Sequence, residues 1–272
     1  MGNHHLLIRA RPKIWLAEGS IMMTPFNKRF ALSLAFIAML SLPLVATALF
    51  QGGPGEGARW PGIASGATVI PVCFRATGTK SADAQGNQYE VSYSGTEMTQ
   101  KQQLVRDALE DSWQKWTSVV FQGWGSCPGI LDGYIYVDLV KEDCGGCGDS
   151  IPRGYNAKGV RVWLKLENPD ERLMRTIIIH EFGHALGFHH EMDRPNAKYS
   201  DGTFVCTDGP VEYSQGIYLT SYYDDVSVMN YCAPRNRNGL SGGDIEGAQG
   251  LYGVSKTGRW LKALPSLSIN VM

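Results

Sequence analysis

The chain has 272 residues, with 25 lysines and arginines against 26 aspartates and glutamates, and its formal net charge is −1. Hydrophobic residues make up 43% of the sequence, which is ordinary globular usage and excludes a chain that is disordered throughout. Because there is no basic excess, the composition argues against nucleic acid as the main partner.

Residues 1–48 have the pattern of a secretory signal peptide with an upstream extension. Lys28 and Arg29 precede an uncharged run, residues 30–50, which contains the small-x-small cleavage pattern Ala46-Thr47-Ala48. The run is also long enough for a transmembrane anchor, but Pro43 and the cleavage pattern favour a signal peptide. We therefore expect a secreted protein, extracellular or periplasmic, with no stable membrane span after cleavage.

The remaining sequence predicts a short linker at 49–66, one domain over 67–253 and a C-terminal tail at 254–272. Period-two alternation and β-branched residues predict strands at 67–74, 118–122, 134–140 and 160–167. Residues 77–97 predict a loop or hairpin, and 142–159 a glycine-rich loop that leaves room for one edge strand.

Helical spacing of apolar residues predicts helices at 99–117 and 168–187, and a final helix is expected at 241–252. Thr99 and Gln102 have the spacing of a capping box at the start of the first helix. Asn168 and Pro169 predict an N-cap and a first-turn proline at the start of the second.

Six cysteines follow the predicted signal, at positions 73, 127, 144, 147, 206 and 232. An even number in a secreted chain indicates disulfides, although six cysteines allow 15 connectivities. Cys144 and Cys147 could also be half of a zinc ribbon or a redox pair, but no second CxxC exists, and the pair is interpreted as structural. Cys206 and Cys232 are predicted to be bonded to each other, which would hold the region after the second helix together.

All four histidines beyond residue 48 lie between residues 180 and 190. His180 and His184 are four residues apart on a predicted helix, so both rings project from one face towards one metal ion. Gly187 can end that helix, because glycine adopts a positive φ at no steric cost, and the chain can then return His190 as a third ligand. Three histidines with an open fourth position are typical of a catalytic zinc.

Glu181 lies beside these ligands and can take a proton from an attacking water. The alternative is a chance match on a core helix. Gly187 and His190 at fixed offsets, a capped apolar helix and a secretory signal all argue against it. His189 has the wrong register and receives no ligand role.

The pattern HExxHxxGxxH resembles the metzincin metalloprotease signature, and the downstream segment Ser227-Val228-Met229-Asn230-Tyr231 is similar to the Met-turn of that clan. Glu191 after the third histidine, Arg194, the start Arg59-Trp60-Pro61 and the closing segment around Leu251-Tyr252-Gly253 resemble the astacins. Two residues depart from the astacin pattern: Asn230 replaces the usual histidine, and Asn196 stands where aspartate is usual. The motifs are also compatible with a bacterial matrixin-like assignment.

The resemblance implies an α+β fold of the metzincin type. Such a fold has a twisted, mostly parallel sheet with an antiparallel edge strand, two long helices, a zinc cleft and a Met-turn. It implies that Zn²⁺ is held by His180, His184 and His190, that Glu181 is the general base, and that protein or peptide substrates are cleaved. It also implies that Tyr231 stabilises the oxyanion, that Met229 forms an apolar floor, and that Glu191 pairs with the matured N-terminus or another polar group.

Two other functions remain compatible with the residues. One is a catalytically silent metzincin fold used for binding, which the presence of Glu181 disfavours. The other is a zinc hydrolase acting on a non-peptide amide, which a casein or gelatin cleavage assay would distinguish from a protease.

Overall fold

The computed structural model describes residues 50–51, 59–62, 66–83, 86–142, 147–151, 154–194, 217–230 and 239–255. All of them belong to one compact unit. The predicted signal peptide and the predicted pair Cys206–Cys232 also lie outside the described residues. Within the described part of the chain, no helix is both long and apolar enough to span a bilayer.

A five-stranded sheet forms the centre of the unit. Its strands are β2 Thr68–Phe74, β5 Val119–Ser126, β6 Ile135–Val140, β7 Cys147–Ile151 and β8 Val160–Lys165. Their order across the sheet is β5-β2-β6-β8-β7. Four of them are parallel, and β7 pairs antiparallel with β8 at one edge. The fold therefore confirms the expected mostly parallel sheet with an antiparallel edge strand.

Alternate side chains of β8 face opposite sides of the sheet. Val160, Val162 and Leu164 lie in the main core, whereas Trp163 faces the other side and contacts Tyr89. Tyr89 belongs to a hairpin made of β3 Lys80–Ala82 and β4 Gln88–Glu90, which confirms the hairpin predicted between residues 77 and 97. A further short pair joins β1 Phe50–Gln51 to β9 Ile217–Tyr218.

Helices cover the main-core face of the sheet. They are α1 Gly95–Glu110, α2 Trp113–Trp116, α3 Glu171–Ala185 and α4 Gly242–Tyr252, with a 3₁₀ turn at Glu191–Asp193. Helix α3 packs against β7, β8 and α1. This packing places the histidine-bearing helix next to the antiparallel edge of the sheet.

The predicted capping box at Thr99 is wrong. Helix α1 begins four residues earlier, after Ser94, and the Thr99 hydroxyl donates to the Gly95 carbonyl inside the helix. The single helix predicted over residues 99–117 is also interrupted, because Ser112 leaves the helical conformation and its hydroxyl bonds to the Ala108 carbonyl. The hydrophobic spacing continued across this break and did not reveal it.

The start of α3 also differs from its prediction. Asp170, not Asn168, is the N-cap, and its carboxylate accepts from the Arg172 amide at 3.0 Å. Asn168 instead accepts from the Asp170 amide at 2.9 Å, which makes a turn leading into the helix. The last helix agrees more closely, because Ser241 caps α4 in a capping box with Asp244.

Part of the predicted linker, residues 49–66, lies in the core. Trp60 is 2% exposed and stacks edge-on against Tyr155, with ring centroids 5.1 Å apart. Cys73 and Cys127 form a disulfide that ties β2 to the end of β5. Cys147 is disulfide-bonded as well, which agrees with the structural interpretation of the CxxC pair, although Cys144 lies outside the described residues.

Candidate metal centre

Three histidines meet at the C-terminal end of α3. His180 and His184 lie one turn apart on the helix, and Gly187 has φ +101°, so that the chain reverses and returns His190. The ring centroids are 4.7 Å apart for His180 and His184, 4.6 Å for His184 and His190, and 5.3 Å for His180 and His190. One ligand atom from each ring lies within 4.8 Å of the others. The structure thus brings together the three predicted ligands.

Each ring is oriented through its Nδ1 atom. Nδ1 of His180 lies 2.8 Å from the Val228 carbonyl, and Nδ1 of His184 lies 2.6 Å from the Phe188 carbonyl. Nδ1 of His190 lies 3.4 Å from the Asp193 carboxylate. All three partners are acceptors, so a proton on each Nδ1 would satisfy them and leave a lone pair on each Nε2.

Two of these Nε2 atoms lie close together. Nε2 of His184 and Nε2 of His190 are 3.0 Å apart. Two lone pairs at that distance repel unless a cation lies between them, and imidazole nitrogens are ligands that zinc prefers. The residues present therefore fit a bound Zn²⁺ ion.

Met229 packs against the helix that carries His180 and His184. It is fully buried, and a Cβ added at Gly183, inside the HExxH segment, would overlap its sulfur. The turn that carries Met229 is held by Asp244, whose carboxylate accepts from the Ser227 hydroxyl and from the Val228 amide. Burial raises the pKa of Asp244, and these hydrogen bonds act against that rise.

Glu191 lies directly after the third histidine and is fully buried. Its Oε1 accepts from Arg194 at 2.8 Å and from the Asp224 amide at 3.0 Å, while its Oε2 has no hydrogen-bond partner among the described residues. Burial raises the pKa of Glu191 to about 7, and the positive charge of Arg194 opposes this rise.

Of the predicted catalytic residues, Glu181 is described and Tyr231 is not. Glu181 is 7% exposed and lies on α3 between the two helix ligands. Tyr231 and Asn196 lie outside the described residues. Asn230, which departs from the astacin pattern, is buried, and its amide donates to the Tyr223 hydroxyl.

The end of α3 depends on residues that periodicity and ligand spacing do not assign to the site. Its last carbonyls accept from three distant donors: the Gly154 amide bonds to His184 at 2.8 Å, the Trp60 indole to Ala185 at 2.8 Å, and the Tyr252 hydroxyl to Leu186 at 2.6 Å. Trp60 and Tyr252 occur in the segments that resemble the astacins, which is the one signal that could have pointed to them.

Residues 79–200, which include the helix ligands and His190, match the family model described as Astacin, a family of peptidases. Over this segment the chain is similar to the astacin peptidases, and the match together with the histidine cluster supports a zinc metalloendopeptidase. No curated protein sequence matches it.

Several solved structures resemble the chain at low identity. The structure of myroilysin is 20% identical, with a TM-score of 0.45, and the match covers 71% of this chain and 95% of that one. High choriolytic enzyme 1, a hatching enzyme zinc-protease from Oryzias latipes (Medaka fish), is 20% identical, with a TM-score of 0.42 and coverage of 71% and 94%.

Proposed function

We propose that this astacin-like enzyme cleaves peptide bonds with a zinc ion held by His180, His184 and His190 and with Glu181 as the general base. The observation that carries the proposal is the convergence of one ring nitrogen from each of the three histidines, with Glu181 on the helix that carries two of them. When bound, zinc supplies a Lewis acid that activates water and polarises the scissile carbonyl.

The carboxylate of Glu181 accepts the proton of the attacking water and then delivers it to the leaving amine. Its position supports this role, because the residue follows His180 directly and is almost completely buried. A buried carboxylate next to the reacting atoms has little competition from bulk water for that proton.

Tyr231 is proposed as the donor to the oxyanion. It follows the Met-turn residue Met229 by two positions, and the carbonyl of Met229 accepts from the Glu191 amide at 2.9 Å. The buried contact between Asn230 and Tyr223 supports the proposal by restraining the residue before Tyr231. The alternative is a tyrosine that only packs under the site.

Glu191 is proposed to bind the matured N-terminus or another polar group through Oε2, since this buried oxygen has no partner in the described part of the chain.

Residues 1–48 are proposed as the signal peptide and its extension, and the product as secreted. N-terminal sequencing of the secreted protein tests this, and a mature chain that still carries residues before position 49 would contradict it.

Substitution of Glu181 by glutamine tests the catalytic assignment. Glu181→Gln keeps size and hydrogen bonding but removes the proton acceptor, so it should keep its zinc and lose about 10²–10⁴-fold in kcat. Tyr231→Phe should lose about 10²–10³-fold in kcat with little change in KM.

The matched control is Glu171→Gln, at the exposed first turn of the same helix. It should keep full activity on the same peptide substrate. A fully active Glu181→Gln would end the proposed mechanism, whereas a fully active Tyr231→Phe would remove only the oxyanion role of Tyr231.

A further inference from the structure

Gly148 on the edge strand β7 lies against the side chain of Glu181. A Cβ built on Gly148 would be 2.5 Å from Cγ, 2.9 Å from Cδ and 3.0 Å from Oε1 of Glu181. Real Cβ atoms do not approach other heavy atoms as closely as the first two distances. The backbone of Gly148 is not left-handed, so its conformation does not itself require glycine. What requires glycine here is the space that Glu181 occupies.

The edge strand has little freedom to move away from the helix. It is paired with β8 from Cys147 opposite Lys165 to Ile151 opposite Arg161, and Cys147 is disulfide-bonded. Beyond the strand, the Gly154 amide donates to the His184 carbonyl at 2.8 Å. Because β7 is held at both ends, an added methyl group would displace the end of the Glu181 side chain and not the strand.

We propose that Gly148 is a positioning residue for the reaction: the missing side chain at this point of β7 sets where the Glu181 carboxylate lies relative to the zinc ligands. The inference rests on the proposed role of Glu181. A side chain at residue 148 would push Cγ and Cδ, the flexible end of Glu181, and would leave the three histidines in place. Such a variant should therefore be impaired in proton transfer and not in folding or metal binding.

The experiment compares Gly148→Ala and Gly148→Val with Gly125→Ala. Gly125 is the matched control because it lies on β5, at the opposite edge of the same sheet. No atom lies within 4 Å of the position that a Cβ would take there, and its φ is not left-handed. For each variant, kcat, KM, zinc content, thermal midpoint and the pH dependence of kcat/KM are measured on one peptide substrate.

Gly148→Ala should lower kcat by about 10²-fold, the usual cost of displacing a catalytic group by about an ångström, and Gly148→Val should lower it further. KM, zinc content and thermal midpoint should stay close to those of the wild type, and the acidic limb of the pH profile should shift because the carboxylate has a new environment. Gly125→Ala should be unchanged in every measurement. Wild-type kcat and an unshifted pH profile in both Gly148 variants would overturn the inference.

A double-mutant cycle separates this inference from the proposed function. Glu181→Ala removes the atoms that the new Cβ would meet, so adding Gly148→Ala to it should cause no further loss of kcat. A further loss in that background would show that residue 148 acts by another route and would reject the inference. Full activity of Glu181→Gln would instead reject the proposed function, whatever the Gly148 variants do.

Discussion

At the scale of single residues, Glu191 shows how burial and pairing compete beside the metal centre. Its carboxylate is fully buried and faces the similarly buried guanidinium of Arg194. Burial disfavours the charged carboxylate more than Arg194 and the Asp224 amide favour it, so the pKa of Glu191 is raised to about 7 from its ordinary value of 4.5.

This raised pKa predicts a specific pH dependence of stability. Between about pH 4.5 and about pH 7, Glu191 is protonated more in the folded state than in the unfolded state. The stability that this proton binding contributes is therefore fully present below about pH 4.5 and is lost as the pH rises through about 7. Glu191→Gln cannot titrate and should lack this loss. Urea unfolding of the metal-free proteins across that interval measures the difference, and parallel curves for wild type and variant would contradict the prediction.

The residues of the metal centre differ in how far the sequence could predict them. His180 and His184 were predictable because the helical period places both on one face of the helix. His190 was predictable because Gly187 permits the chain to reverse after that helix. Gly148 was not predictable, because its role depends on how an edge strand from a distant part of the chain packs against α3. A glycine in a strand pattern indicates a close approach but does not name the partner.

At the scale of elements, the C-terminal end of α3 is held by donors from three separate segments. A helix end leaves several carbonyls without partners, and here those of His184, Ala185 and Leu186 accept from the Gly154 amide, the Trp60 indole and the Tyr252 hydroxyl. The hydroxyl of Tyr252 bonds next to Gly187, where the chain reverses towards His190. Tyr252 therefore restrains the turn that returns His190 to the other two histidines.

Tyr252→Phe should accordingly weaken zinc binding. The variant keeps the packed ring but leaves the buried Leu186 carbonyl without its donor, which costs about 1–3 kcal/mol of stability. Because the lost contact lies at the turn before His190, zinc should dissociate faster from the variant, as followed with a chromogenic chelator.

The control for this prediction is Tyr93→Phe. Tyr93 is also buried, and its hydroxyl donates to Glu167 at 3.2 Å, away from the ligands. It should lose some stability and release zinc at the wild-type rate. Equal zinc release from both variants would mean that the Tyr252 hydroxyl supports only the fold.

For elements with strong periodicity, the type and position were predicted correctly, but the exact first and last residues were not. The β8 alternation and the apolar face of α3 dictate burial directly, so both elements were found within two to three residues of their predicted bounds. The start of α1 differs from its prediction, because the helix begins after Ser94, which has the capping-box spacing with Glu97 but makes no side-chain cap hydrogen bond. Strand β5 extends past its predicted end through Gly123 and Trp124, both at positive φ.

At the scale of the whole molecule, the metal centre joins segments that are far apart in sequence. The Val228 carbonyl of the Met-turn accepts from His180, and the Glu191 amide donates to the Met229 carbonyl. The order of strands in the sheet was not predictable from residue patterns, because parallel pairing of β2 with β5 and β6 depends on long-range packing. The resemblance to metzincins, and not periodicity, supplied the expected topology.

Removal of zinc should lower the stability of the whole enzyme and not only its activity. The three proposed ligands lie on α3 and beyond its reversing turn, and His180 contacts the Val228 carbonyl of the Met-turn, so we expect zinc to bind the folded arrangement and not the unfolded chain. A ligand of this kind stabilises by about 4 kcal/mol when its free concentration is about 1,000 times its Kd. A chelator should lower the thermal midpoint of the wild type reversibly, and zinc should restore it.

The effect of the chelator on the midpoint should weaken below about pH 6.5, the ordinary pKa of histidine, because protonated rings release the metal. His190→Ala should have a lower midpoint that a chelator changes much less. An active, purified enzyme that holds no stoichiometric metal, or whose midpoint is the same with and without its zinc, would contradict the prediction.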